Sequence, residues 1–146
     1  MKLSDIQEEW KKDSKINELE LGNEAVKTAT LHAKYLAILS NMKLQLRKTE
    51  SNYYSMRRVK YKYYRGELTK EELEKLNLPQ YLGNKPLKNE MEEFLSCDQD
   101  LNLLQDKVEY YKTVVFTLEQ ILRSISSRTW DVKSAIEWNK FTNGAF

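Results

Sequence analysis

Between Leu101 and Ile136 the positions Leu101, Leu104, Val108, Tyr111, Val115, Leu118, Leu122, Ile125, Thr129, Val132 and Ile136 alternate steps of three and four residues without a break. Five heptads of this kind commit the segment to one long α-helix, because only a helix brings residues three and four apart onto a common face. A 3.5-residue repeat held this long favours a left-handed supercoil against a partner helix. That partner is either a second long helix of the same chain folding back or a neighbouring subunit. Leu103, Tyr110, Val114 and Ile121 add a second apolar line beside the first, so contact with more than one helix is expected.

The remaining sequence agrees with an all-α chain. Only four Gly and two Pro occur in 146 residues, too few to reverse the chain as often as a β-sandwich requires. This length suits one domain with a modest core. From about Glu24 to Arg65 there is no Gly or Pro, and Leu31, Tyr35, Ile38, Met42, Leu46, Thr49, Tyr53, Met56 and Tyr63 recur mostly at helical steps, which predicts a second long amphipathic helix ended by Gly66. Ser4 with Gln7, Thr69 with Glu72, and Ser96 with Gln99 have the spacing of capping boxes. They predict short helices over about 5–13 and 70–77 and the start of the long C-terminal one. The main loop is expected at 77–86, where both prolines lie. The expected fold is therefore a long helical hairpin with short accessory helices and coiled-coil-like packing. Within the single domain 1–146, residues 1–66 hold the N-terminal helices, 67–95 acidic short helices and loop, and 96–146 the heptad helix.

The chemistry the chain lacks is informative. It has no phosphate loop of the GxxxxGK[ST] type and no GxGxxG, HExxH or GxSxG motif, so no enzymatic activity, cofactor or metal is expected. One Cys and one His cannot supply four zinc ligands, and a single Cys forms no internal disulfide, which suits a reducing cytoplasm. Cys97 is expected to be a small buried residue and His32 a structural or surface one. No apolar stretch approaches the ~20 residues of a membrane span, and the acids in MKLSDIQEEW interrupt any signal-like run, so no membrane partner is expected.

The charge is unevenly distributed. Residues 43–65 carry eight basic side chains against one acidic, whereas 66–100 carry four against nine. At about 100° per residue Lys43, Arg47, Tyr54, Arg58, Tyr61, Lys62 and Arg65 fall on one side of the helix, opposite Ile38, Met42, Leu46, Thr49, Tyr53, Met56 and Tyr63. Lys60 lies on the seam side and Arg57 at its edge, so each either snorkels out or serves a site between subunits. Lys43 to Arg65 is a ridge of roughly 33 Å with tyrosines interleaved. Cations neutralise phosphates while tyrosine rings stack bases without reading them, which is how sequence-tolerant single-strand binding works. The candidate DNA-binding set is Lys43, Arg47, Tyr54, Arg57, Arg58, Lys60, Tyr61, Lys62 and Arg65. The competing reading is a helical structural or adaptor protein whose ridge docks an acidic protein partner.

Near the C-terminus Trp130, Trp138 and Phe141 fall opposite the seam residues Val132 and Ile136. A helix apolar on both faces needs an outlet, and self-association supplies one. The candidate oligomerisation residues are Leu118, Leu122, Ile125, Trp130, Val132, Ile136, Trp138 and Phe141.

The opening M-K-L-S-D-I-Q-E-E-W-K-K-D (1–13), the tract R-R-V-K-Y-K-Y-Y-R-G (57–66), S-C-D-Q-D (96–100), S-R-T-W-D-V-K-S-A-I (127–136) and F-T-N-G (141–144) closely resemble the UvsY family of recombination mediators from T-even-type phages. The resemblance implies a small helical protein that forms a ring-like homo-oligomer, a hexamer or heptamer, in the cytoplasm of a phage-infected bacterium. It implies binding to single-stranded DNA and help in loading a RecA-like recombinase onto strands covered by single-strand-binding protein. A Lys-x-Arg pair tied to DNA binding in that family matches Arg58 and Lys60 here, with the order swapped and the charges kept, while the family's following acid is replaced by Lys62.

Overall fold

The computed structural model describes residues 1–144, and among these every regular element is helical: α1 (Leu3–Asp13), α2 (Leu21–Tyr64), α3 (Lys70–Lys75), α4 (Met91–Ser96) and α5 (Gln99–Thr142). The chain divides into two compact units. One comprises residues 1–44 and 112 onward, the other residues 45–111, so α2 and α5 each contribute to both.

In the first unit Ile6 of α1, Leu21, Tyr35 and Leu39 of α2, and Val114, Val115, Leu118, Ile121, Ile125 and Val132 of α5 are buried. Arg128 pairs with Glu24 and Lys43 approaches Glu119 at 3.9 Å, so α2 and α5 run antiparallel here. The chain's own helix therefore covers this stretch of the seam. Arg128 is 4% exposed and its guanidinium also donates to the carbonyl of Asp13 at 3.4 Å. Burial pushes the Glu24 carboxyl up, but hydrogen bonds from Lys27 and the Asn17 backbone, with the charges of Lys27 and Arg128, hold it below its usual range. Lys34 (2.6 Å) and the Tyr35 hydroxyl (2.8 Å) both donate to Asp13 at the end of α1, tying that short helix to α2. Trp10 packs edge-on against Tyr35 with ring centroids 5.5 Å apart.

In the second unit Met91 and Leu95 of α4 and Leu101 of α5 form a small core against Tyr53, Met56, Tyr61 and Tyr64 of α2. Glycine ends α2 as expected. Gly66 has φ 70°, its N–H reaches the Tyr63 carbonyl, and the Glu67 N–H reaches back to the Lys62 carbonyl at 3.0 Å. Thr69 caps α3 by accepting from the Glu72 N–H at 3.2 Å. This helix stops at Lys75, and Asn77, with φ 54°, takes the left-handed position that closes it.

Four expectations are corrected. The first helix starts at Leu3, and the Asp5 carboxylate accepts from the Lys2 N–H at 2.9 Å in the place given to Ser4 and Gln7. The second long helix begins at Leu21, with Gly22 and Asn23 inside its first turn. Ser96 does not open α5: it is the last residue of α4, and Asp98 caps α5 by accepting from the Leu101 N–H at 3.0 Å. Cys97, between the two helices, is exposed. No helix is long and apolar enough to cross a membrane, and no cluster of three or more His, Cys, Asp or Glu suited to a metal occurs among the described residues.

Candidate nucleic-acid interface

The basic residues of α2 in the second unit, with Arg65 just past its end, sort into two groups by partner. Arg57 pairs with Glu92, and Arg65 pairs with Glu67 at 3.1 Å while its guanidinium lies 5.5 Å from the Tyr61 ring centroid. Lys60 is 4% exposed, and its ammonium reaches Asp100 at 2.6 Å and Asp98 at 3.2 Å. It neither snorkels out nor waits for another subunit, because its own chain satisfies it. Arg47, Lys48, Arg58 and Lys62 are exposed and make no ion pair among the described residues. Lys43 falls in the other unit, beside Glu119.

The partner acids come from beyond α2, in the acidic 66–100 segment. The absence of acids spaced four residues from these cations on α2 therefore says nothing about whether they are paired in the fold. In the sequence the basic window reads as a footprint for a polyanion; the opposite charge of the 66–100 window is the signal that bears on pairing, and it does not say which cations pair. Asp98 shows how tightly the network is made. It accepts from the Tyr64 hydroxyl at 2.6 Å, from the Leu101 N–H and from Lys60. Burial pushes its carboxyl up, and those donors outweigh burial, so it titrates below the ordinary carboxylate value. For Lys60 burial alone would lower the ammonium pKa, yet the hydrogen bond to Asp100 and the charge of Asp98 leave it raised. Burial first, then the bond to Asp98, pushes the Tyr64 hydroxyl up.

Arg58 and Lys62 stand one helical turn apart, and with Tyr54, Arg57, Tyr61, Arg65 and Glu67 they line an open hollow of about 360 Å³. Tyr54 is 67% exposed and packs edge-on against Tyr53, which fixes its ring from one side and leaves the rest to solvent. The result is a concave surface with two unpaired cations, two tyrosines and one easily exchanged ion pair. Such a surface favours a chain of phosphates carrying planar rings over a compact anion, since charge and stacking area lie side by side.

The oligomerisation candidates also divide. Leu118, Ile125 and Val132 are buried in the first unit, and Leu122 and Ile136 are half-buried. Trp130, Trp138 and Phe141 are exposed, and the last two stack with centroids 5.8 Å apart beside Ser134 and Glu137.

Fold and surface together define a helical protein suited to holding an extended polyanion. Residues 9–145 match the family described as UvsY, the recombination, repair and single-stranded DNA-binding proteins. The chain belongs to that family. It is 27% identical over 144 residues to the recombination protein uvsY of Enterobacteria phage T4, covering 99% of each chain. Two crystal structures of the bacteriophage T4 recombination mediator protein UvsY superpose with TM-scores of 0.84 at 26% identity. Lattice type II covers 98% of both chains, and lattice type IV covers 97% of this chain and 99% of the other.

Proposed function

We propose that this chain is a recombination mediator that holds single-stranded DNA on the Tyr54–Arg65 surface of α2, and that it helps a RecA-like recombinase displace single-strand-binding protein. The observation that carries the reading is the sorting of cations: Arg58 and Lys62 are exposed, without an ion pair among the described residues, and line one hollow with Tyr54 and Tyr61. Phosphates meet those two cations first, with Arg47 further along the helix. Arg65 is half-exposed and its pair with Glu67 is solvent-screened, worth about 0–1 kcal/mol, so exchange of Glu67 for a phosphate costs little. Lys60 acts at one remove in this reading: it locks the start of α5 against α2 and so fixes the surface that Arg58 and Lys62 present. Tyr54, whose ring is open, stacks bases irrespective of identity, which makes binding tolerant of sequence, while the half-buried Tyr61 packs against the small core and carries the Arg65 guanidinium over its ring.

Trp130, Trp138 and Phe141 are the residues we assign to contact between subunits, with the buried seam residues Leu118, Ile125 and Val132 supporting the helix that carries them. A ring of six or seven copies, as the family resemblance implies, would repeat the DNA surface on each subunit. The test is fluorescence anisotropy of labelled oligothymidylate and of a mixed-sequence strand across a salt series. Similar affinities for the two strands are expected, with log affinity falling linearly in log salt by ~0.7 per phosphate neutralised. Binding that is indifferent to salt would overturn the assignment.

A further inference from the structure

Arg58 and Lys62 border a second hollow on the other side from Tyr54 and Tyr61. It has a volume of about 240 Å³ and lies between α2 and α3, lined by Val59, Leu68 and Leu76 with Glu72 and Lys75. Its walls are aliphatic and half-buried, and no aromatic ring lines it. Three cations, Arg58, Lys62 and Lys75, stand around it against the single carboxylate of Glu72, and none of the three is ion-paired among the described residues. A nucleobase would find nothing there to stack on, whereas a branched aliphatic side chain would find walls of its own kind.

We propose that this hollow docks an acidic peptide segment of a partner protein, with one apolar side chain anchored on Val59, Leu68 and Leu76 and its carboxylates on Arg58, Lys62 and Lys75. The charge excess at the rim selects the acidic character, and the aliphatic lining selects the anchor. Because Arg58 and Lys62 also belong to the tyrosine-lined hollow, the peptide and single-stranded DNA compete for the same two cations. A partner held by such a peptide is released when DNA arrives, and DNA is released when the peptide does. The competition rests on the DNA surface proposed above; peptide docking itself does not.

The experiment uses the full chain and a fluorescein-labelled synthetic peptide of alternating Asp and Glu around one central Leu, read by anisotropy. A control peptide with Ala in place of that Leu should bind about tenfold more weakly, from loss of the anchor. Lys75→Glu should weaken the Leu peptide about fivefold and leave oligothymidylate binding within about twofold, because Lys75 does not border the tyrosine side. Unlabelled oligothymidylate should displace the peptide. Equal binding of the Leu and Ala peptides would overturn the proposal by showing that charge alone is read. Lys75→Glu weakening oligothymidylate as much as the peptide would also overturn it, with nucleic acid as the occupant. If the peptide binds as described but is not displaced by oligothymidylate, docking stands and the shared-cation DNA surface falls.

Discussion

Lys60 and Arg58 are two residues apart on one helix and carry the same charge, yet their surroundings give them different work. Arg58 meets solvent; Lys60 has exchanged water for Asp98 and Asp100. Removing Lys60 leaves the buried Asp98 carboxylate short of a counter-charge, a change of the kind that costs about 3–5 kcal/mol. Lys60→Met is therefore expected to lower the urea midpoint sharply. Where the protein remains folded, it should leave the salt slope of DNA binding unchanged, whereas Arg58→Ala with Lys62→Ala should flatten that slope by ~0.7 for each phosphate no longer neutralised and hardly alter stability. A flattened slope in Lys60→Met would place that ammonium on the DNA. The network also sets a pH dependence. Asp98 is depressed in the fold, so its contribution is present above the usual 3.8 and is lost as pH falls through the lower folded value. Lys60 is raised, so its contribution is complete below 10.5 and is lost as pH rises through the higher folded value. Stability should accordingly fall at both extremes, and Asp98→Asn should flatten the acid limb in a pH series of thermal melts. Helical phase in the sequence placed Lys60 on the seam side but could not reveal its partners, because Asp98 and Asp100 are about forty positions away and meet it only in the folded chain. Arg128 was missed altogether: it stands a heptad beyond Ile121, on the apolar line of Val114 and Ile121, but an arginine there does not by itself declare burial. Nothing in the spacing marked that acid as Glu24.

At the scale of elements, the two long helices could be read from their uninterrupted apolar periods, and their limits fall within a few residues of the expected ones. The short elements were harder, because a cap is decided by one side chain and several neighbours can compete for it. Around residues 96–99 the sequence offers Ser96 and Asp98, and the spacing of Ser96 to Gln99 is a capping box. Asp98 prevails since it does three things at once: it caps α5, accepts from Tyr64 and pairs with Lys60. Ser96 instead donates to the Glu92 carbonyl at 2.7 Å, inside α4. The cap share of this triple role can be separated from the charge share. Asn is as good an N-cap as Asp, so Asp98→Asn should lose the ion pair and keep the cap, while Asp98→Ala loses both. The Ala variant is expected to be less stable than the Asn variant by about 1 kcal/mol in denaturant titrations. Equal losses would mean that the cap contributes nothing. Thr69→Ala isolates the same effect at α3, where a cost of about 1 kcal/mol is expected together with a weaker hollow for the acidic peptide, because Leu76 follows directly from that helix.

On the scale of the whole molecule, the proposed loading of a recombinase gives assembly of several copies a purpose. No phosphate loop is present in the sequence, so on the proposed reading the recombinase brings the ATPase and the mediator contributes binding energy alone. Binding energy shifts an equilibrium only as far as it distinguishes the two states, so the mediator must hold the strand better in a form that the recombinase accepts than in the form covered by single-strand-binding protein. On this reading a single Tyr54–Arg65 surface, about three helical turns long, would hold only a short stretch of the strand. In the proposed ring several such surfaces would engage one strand together, with an avidity that exceeds single-site affinity by ~10²–10⁴. The exposed Trp130, Trp138 and Phe141 allow the assembly to be tested without touching the core, since the neighbouring seam residues Val132 and Ile125 remain in place. Trp138→Ser with Phe141→Ser should keep wild-type helicity by circular dichroism and give smaller species by light scattering. On an oligonucleotide short enough for one surface, this variant should bind like wild type; on a long strand it should lose the avidity gain. Recombinase ATPase on DNA precovered with single-strand-binding protein should then be stimulated by the wild-type chain and not by the variant. Stimulation by a variant that is demonstrably monomeric would show that one surface is enough, and that assembly serves something other than presentation of the strand.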